Sequence, residues 1–200
     1  MKDKIIRETK EMFFRYGIKS ITMEDIAREL GISKKTLYQH FDNKNDLLLE
    51  VINLHDREEK VRLIEIQSVA TDAIDEMIRI AKYFDQMLKQ VSPSLVFDVQ
   101  KYHRDAWEKM NKMHNEDVYK EIFANLRRGI EEGLYRDDFD TDIIAKIYVS
   151  TSILSTRSDV FAPNDYKMHD IHRTNMLYHL HGIVSAKGLE QLQRMKEELK

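Results

Sequence analysis

The 200-residue chain has no cysteine, only two prolines and only six glycines. The absence of cysteine excludes disulfide bonds and thiolate metal sites, which suits a protein of a reducing compartment. So little proline and glycine leaves few turn signals, and a β-sandwich with many short loops is therefore not expected. The sequence also lacks a secretory signal pattern and any apolar run long enough to span a membrane. These absences predict a soluble, cytoplasmic protein with no membrane partner.

Charged residues are abundant but unevenly distributed. They make up 34% of the chain and hydrophobic residues 42%, and the apolar positions recur mostly at helical spacing, which predicts an all-α protein. Residues 1–45 contain ten lysines and arginines against seven aspartates and glutamates, although the whole chain has a net charge of −3. The positive excess lies on the first quarter, which is therefore the part suited to meet phosphate groups.

Residues 22–41, TMEDIARELGISKKTLYQHF, predict two short helices joined by a tight turn. Thr22 and Asp25 have the spacing of a capping box at the start of the first helix. Gly31 follows the last apolar residue of that helix, where a left-handed backbone favours glycine, and Ser33 can cap the second helix. The pattern is a helix-turn-helix, the motif that places its second helix in the major groove of DNA.

The neighbouring sequence supplies two further helices. An amphipathic stretch ends at Gly17, and Asn43 can cap a fourth helix with an apolar face. A helix pair that only packs is the alternative interpretation, but the outward face of the second motif helix is rich in donors that suit phosphates and base edges. These residues are Lys34, Lys35, Thr36, Tyr38, Gln39 and His40.

Residues 13–52, FFRYGIKSITMEDIARELGISKKTLYQHFDNKNDLLLEVI, resemble the DNA-binding domain of the TetR family of bacterial transcription regulators. The resemblance covers about the first quarter of the chain and includes the Phe-x-x-x-Gly end of the first helix and the Ser-Lys-x-Thr-Leu-Tyr-x-His-Phe run. Lys35 departs from the family pattern, which often has a small residue at this position. The charge that it adds is expected to alter which operator sequence is preferred. The remaining three quarters resemble the family only in length and helical character.

The resemblance implies roles for individual side chains. Thr22, Tyr38 and Lys44 are expected to contact phosphates, Thr22 and Lys44 from helix N-termini that favour an anion. Base-edge contacts are expected from Lys34, Lys35, Thr36 and Gln39, since glutamine can bind adenine and lysine guanine. His40 completes the predicted DNA-binding set.

We expect two domains, a helix-turn-helix domain over residues 1–46 and a helical domain over residues 47–200. In the second domain we expect helices over 69–91, from 93 to 113 with a break near His103, over 117–132, over 141–154 and over 166–184, then a short terminal helix. Residues 155–165 are predicted to be a connector.

The resemblance further implies a homodimer and a small-molecule effector bound in the second domain. The apolar faces of the last two long helices are the dimer candidates, although the same chain could equally cover them. Aromatic and methionine side chains suit an adaptable apolar pocket, but any helical core also uses them. The predicted effector residues are Phe84, Met87, Phe97, Trp107, Met110 and Phe123.

His169, His172 and His179 share one helix, but no HExxH pattern accompanies them, so surface or interface histidines are favoured over a metal site. The sequence shows no phosphate-cradling loop and no nucleophile–base pair, and we expect neither an enzyme nor a cofactor. The leading hypothesis is a sequence-specific repressor that an effector releases from a palindromic operator. The alternatives are a DNA-binding protein without a ligand, acting through a protein partner or as an architectural factor, and a metal-dependent enzyme built on the histidine-rich helix.

Overall fold

The computed structural model describes residues 1–92, 94–154, 160–162 and 165–195. Within these ranges the protein is all-α, and its extended contacts amount to an isolated antiparallel bridge between Tyr135 and Val184. The helices described there are α1 (Lys2–Tyr16), α2 (Met23–Glu29), α3 (Lys34–Tyr38), α4 (Lys44–Val69), α5 (Ala73–Gln90), α6 (Ser94–Tyr102), α7 (Arg104–Glu131), α8 (Thr141–Leu154), α9 (Met168–Ile183) and α10 (Ala186–Met195).

The helices form two compact units. The first unit comprises residues 1–62 and 90–111, and the second comprises residues 63–89 and 112–200. By packing, the first unit therefore extends beyond residue 46 and includes α6 with the start of α7. The functional boundary between residues 46 and 47 stays a prediction.

The core of the first unit collects the apolar faces of its short helices. Phe13 of α1, Ile26 of α2 and Leu37 of α3 are each fully buried, and so is Leu47 of α4. Burying one such side chain contributes about 1.5–3 kcal/mol. Because α2 and α3 are too short to be stable alone, this shared core is what holds them in place.

The second unit has a core of its own. It is lined by residues of every helix from α5 to α10 except α6, including Met77, Leu126, Tyr148, Leu180 and Leu192. Few apolar side chains of α9 are exposed to solvent, because the helix packs into the core of the second unit.

Most of the helices predicted after residue 47 are confirmed, with one error. The break at His103 is present between α6 and α7. The separate helix over 117–132 is wrong, because α7 runs without interruption from Arg104 to Glu131. Ala106 and Leu126, near the two ends of α7, are both fully buried. Pro93, Leu199 and most of the predicted connector lie outside the described residues.

Among the described residues, none of the helices is both long enough and apolar enough to cross a membrane.

Candidate nucleic-acid interface

The helix-turn-helix is built by local hydrogen bonds that the sequence predicts. The Thr22 hydroxyl accepts the Asp25 N–H at 3.1 Å, and the Asp25 carboxylate accepts the Thr22 N–H at 2.9 Å, so the capping box is confirmed. Gly31 has a φ of 64°, in the left-handed region where a side chain is strained. The Ser33 hydroxyl accepts the Thr36 N–H at 3.0 Å, which confirms Ser33 as the cap of α3.

The second motif helix is shorter than predicted. The expected reading helix spans residues 33–41, whereas α3 ends at Tyr38 with Gln39 as its C-cap and His40 in the following turn. The N–H groups of His40 and Phe41 both donate to the Leu37 carbonyl, at 3.0 and 3.2 Å, which tightens the chain at this end. Phe41 is 1% exposed, so it is buried although it lies beyond the end of the helix. Gln39 and His40 are therefore presented by a turn.

The outward side of this segment is polar and accessible. Lys34, Lys35, Tyr38 and Gln39 are exposed, and Thr36 and His40 are half-buried. The Tyr38 ring remains 43% exposed although a core lies beneath it. These side chains offer ammonium, hydroxyl, amide and imidazole groups on one side of the unit, a set suited to phosphates and base edges.

The two lysines at the start of α3 differ in their surroundings. Lys34 pairs with Glu24 of α2, with 2.5 Å between Nζ and Oε1, and this contact raises the pKa of the lysine and lowers that of the glutamate. Lys35 has no ion-pair partner within the described part of the chain. The sequence did not reveal the pairing, because Glu24 and Lys34 are ten residues apart and meet only once the turn is formed.

Lys44 lies in a different environment from the other predicted DNA contacts. Its ammonium donates to the Ile18 carbonyl and lies 5.8 Å from the centre of the Phe13 ring. Burial lowers the pKa of Lys44, and the nearby charge of Asp98 opposes that shift. Asp98 was not among the predicted residues, since nothing in the local pattern of α6 marks it.

The six predicted effector residues do not share one unit. Three of them belong to the first unit and three to the second, so the residue set stays a prediction. Those in the first unit are Phe97, Trp107 and Met110, and those in the second are Phe84, Met87 and Phe123.

The histidines of α9 are surrounded by aromatic groups. His172 lies 5.0 Å from the Phe84 ring and His179 lies 4.7 Å from the Tyr148 ring, and burial lowers the pKa of each histidine to about 4. Across the residues that the structure describes, no group of three or more His, Cys, Asp or Glu side chains is arranged to hold a metal ion.

The candidate dimer helices have different surfaces. On α9, Met176, Leu180 and Ile183 are buried within their own unit, so these side chains are not available to a dimer partner. On α8, Ile143 and Ile147 are 55% and 52% exposed. The apolar surface left open to a partner therefore lies mainly on α8.

The family model described as bacterial regulatory proteins, tetR family, matches residues 5–51, which include the whole helix-turn-helix. The chain is 27% identical over 152 residues to the HTH-type transcriptional regulator YvaF of Bacillus subtilis, covering 76% of this chain and 78% of the relative. It is 24% identical over 164 residues to the HTH-type transcriptional repressor KstR2 of Mycolicibacterium smegmatis, covering 78% of each.

The fold matches a solved structure over most of its length. A transcriptional regulator from Saccharomonospora viridis, crystallised in complex with choline, superposes with a TM-score of 0.73 at 20% identity, covering 92% of this chain and 97% of that one. The match extends the likeness in fold from the helix-turn-helix to the helices that follow it. With its capped motif, its exposed basic face and these relatives, the chain is a DNA-binding transcriptional regulator whose residues 5–51 match the tetR family of bacterial regulatory proteins.

Proposed function

We propose that the protein acts as a homodimeric repressor, which binds a two-fold operator and is released by a small-molecule effector. The observation that carries the proposal is the exposed polar surface of α3 and the turn after it, fixed by the Ser33 cap. One such segment reads only a few base pairs, so two copies about 34–36 Å apart are needed for a full site. Its site of action is the cytoplasm, and its role is binding rather than catalysis.

On this surface we assign two kinds of contact. Tyr38 and Thr22 bind phosphates and fix the orientation of α3, whereas Gln39 and Lys35 contact base edges in the major groove. Lys34, Thr36 and His40 lie beside them on the same surface. Lys34 must exchange its contact with Glu24 for one with DNA.

Substitution of Gln39 and Tyr38 separates these roles. Gln39→Ala should weaken the selected operator by about 1–3 kcal/mol and relax the preference at particular bases, because a bidentate contact is lost. Tyr38→Ala should weaken binding to all duplexes to a similar degree, because a phosphate contact is independent of sequence. Both are measured by fluorescence anisotropy on the operator and on random duplexes. Equal losses on both DNAs for Gln39→Ala would contradict its assignment as a base reader.

Selection of bound duplexes from a random pool tests the proposal as a whole. A dimer should recover a palindrome whose half-sites are one helical turn apart. The support for a dimer is the exposed apolar surface of α8, together with Tyr178 of α9, which is 80% exposed. Sedimentation velocity on the free protein should give twice the mass of one chain. A monomer that selects no palindrome would defeat the proposal.

The effector hypothesis is supported by two polar atoms in the second unit. Oδ1 of Asp85 on α5 and Nδ1 of His172 on α9 are buried, and neither has a hydrogen-bond partner among the described residues. Such atoms cost free energy until a ligand or a water binds them. The complex of the Saccharomonospora viridis regulator with choline supports a ligand in a protein of this fold.

Release by an effector requires a coupling free energy of only about 1–3 kcal/mol between the effector site and the DNA-binding surface. A thermal-shift screen of small molecules, followed by operator binding with each hit, tests this part separately. If no compound raises the melting temperature and weakens operator binding, the second candidate is favoured: a DNA-binding protein that acts through a protein partner. The name of the KstR2 relative, a repressor, supports negative regulation.

A further inference from the structure

The peptide group between Ile18 and Lys19 is held from both sides by charged side chains. This peptide lies in the turn between α1 and α2. Its carbonyl oxygen accepts a hydrogen bond from the Lys44 ammonium at the start of α4. Its N–H donates to Oδ2 of Asp98 on α6, at 2.8 Å. Two residues 54 positions apart in the sequence therefore fix one peptide just before the helix-turn-helix.

Burial makes this arrangement costly to form and costly to break. Asp98 is only 5% exposed, and a carboxylate so deeply buried is tolerated only when it is hydrogen-bonded or paired with a cation. Lys44 supplies the opposite charge nearby, and the Lys19 N–H supplies the hydrogen bond. The pair is therefore an integral part of the fold of the first unit.

Further contacts hold α6 against the same turn. The Ser92 N–H donates to the Phe14 carbonyl at 2.6 Å, and Tyr102 receives the Lys19 ammonium 4.8 Å from its ring centre. A Cβ at Gly17 would lie 2.4 Å from the Ser94 hydroxyl, so a larger residue at the end of α1 would meet the side chains at the start of α6. The turn is thereby held at several points.

The turn leads directly into the DNA-contacting segment. Three residues after Lys19 comes Thr22, the cap of α2, and α2 carries α3 through the turn at Gly31. A shift of the Ile18–Lys19 peptide would move the start of α2 relative to α4. The position of α3 on DNA therefore depends on how α6 holds this peptide.

We propose that Asp98 and Lys44 form a clamp on the Ile18–Lys19 peptide, and that both are positioning residues for operator binding, with Lys44 acting inside the fold rather than on a phosphate. The proposal rests on the DNA-binding function. In the clamp, α6 and α4 jointly set the angle at which α3 enters the groove.

The salt dependence of binding distinguishes the clamp from a phosphate contact. A lysine that binds a phosphate reduces the slope of log K against log salt by about 0.9 when removed. Lys44→Met should instead weaken operator binding about tenfold, the scale for loss of a buried hydrogen bond, while the slope stays unchanged. Lys35→Met, on the exposed surface, is the matched control and should lower the slope. A slope change of about 0.9 for Lys44→Met would overturn the proposal.

Variants of Asp98 separate positioning from general stability. Asp98→Ala should weaken operator binding about tenfold, and Asp98→Asn should recover most of that loss because its amide oxygen can still accept the Lys19 N–H. Val99→Ala is the control, since Val99 is 2% exposed on the same helix but its apolar side chain cannot form a hydrogen bond with the peptide. All are compared at a temperature where circular dichroism shows full folding. If Val99→Ala loses as much affinity as Asp98→Ala, or if Asp98→Ala loses none, the clamp is refuted.

Amide hydrogen exchange gives a readout that needs no DNA. The Lys19 amide should be protected in the wild type and in Asp98→Asn, and should exchange at least tenfold faster in Asp98→Ala. An unprotected Lys19 amide in the wild type would overturn the clamp whatever the DNA experiments show. A wild type with a protected amide that selects no DNA would refute the proposed function and leave the clamp intact.

Discussion

The two units of this protein use polar side chains in opposite ways. In the first unit, the polar residues of α3 are exposed, and those that are bonded are bonded to near neighbours in the motif. In the second unit, a network of polar groups around Asn125 and Arg128 is buried between helices, and its members satisfy each other. A buried polar group contributes to folding because leaving it unpaired is costly, whereas an exposed one is available to a partner. Substitutions in the buried network of the second unit should therefore affect stability, and those on the exposed surface of α3 should affect binding.

The buried network of the second unit joins α5 to α7 and to the chain that follows α7. Asn125 donates to the Ala73 carbonyl at 3.0 Å and accepts the Tyr135 hydroxyl at 2.9 Å. Arg128 contacts Glu76 at 2.9 Å and Glu132 at 2.8 Å. Asn125 and Glu76 are 3% and 5% exposed, so water can replace few of these bonds.

Removal of Arg128 should produce the largest loss of stability. Arg128→Met leaves the buried Glu76 carboxylate without its cation, and should lower the free energy of unfolding by about 3 kcal/mol. Arg127→Met is the matched control on the same helix. Arg127 and its partner Glu131 are both well exposed, and this change should cost less than about 0.5 kcal/mol. Urea unfolding measures both, and equal losses would remove the proposed difference between buried and exposed pairs.

The same variant should become sensitive to pH. Burial raises the pKa of Glu76, and Arg128 opposes that rise. A carboxyl whose pKa is higher in the folded state binds more protons there, so its contribution to stability falls as pH rises above the unfolded value of about 4.3. Without Arg128 the pKa rises further, and the loss in Arg128→Met should be greater at pH 8 than at pH 5. Adding Glu76→Gln should abolish that difference.

Two glycines of the second unit should respond to alanine with opposite signs. At Gly188 of α10, a Cβ would lie 1.9 Å from the Leu134 carbonyl oxygen, which is backbone and cannot move aside. Gly188→Ala should therefore lower the free energy of unfolding by about 1–3 kcal/mol. At Gly182 of α9 no atom lies within 4 Å of the added carbon. Gly182→Ala should raise stability by up to about 1 kcal/mol, because alanine favours the helix.

Urea unfolding of the two glycine variants gives a test of packing that does not involve charge. A stabilising Gly188→Ala would mean that α10 does not pack closely on the chain at Leu134. The sequence offered no basis for separating these glycines, since both lie in or beside predicted helices.

Local signals predicted the first unit well. Thr22, Gly31 and Ser33 act on backbone groups within a few residues, so their spacing alone specifies the caps and the turn. Contacts between distant segments were not predictable in this way. Asp98 resembles any other acidic helical residue until α6 meets the turn at Lys19. The family resemblance placed Lys44 on a phosphate, and that contact stays a prediction. The hydrogen bond from its ammonium to the Ile18 carbonyl was not predictable from the local sequence.

The end of α3 shows the same limit within the motif. Apolar spacing of Leu37 and Phe41 suggested a helix through residue 41, since both are buried on one side. The same two residues can also be buried when the chain leaves the helix after Tyr38, which the structure shows. Periodicity fixed which side chains face inward, but the helix end depended on packing with the rest of the unit.

The smallest expected effect concerns the pair at the edge of the DNA-binding surface. Glu24 forms an ion pair with the Lys34 ammonium and places a negative charge beside α3. Glu24→Gln should raise affinity for DNA about twofold to fivefold, because Lys34 no longer has to give up its contact with Glu24 when it meets DNA. Glu29→Gln, exposed on the same helix, removes the same charge without releasing Lys34, and should change affinity less than twofold. If the two variants behave alike, only the net charge of this surface matters, and the contact between Glu24 and Lys34 does not restrain binding.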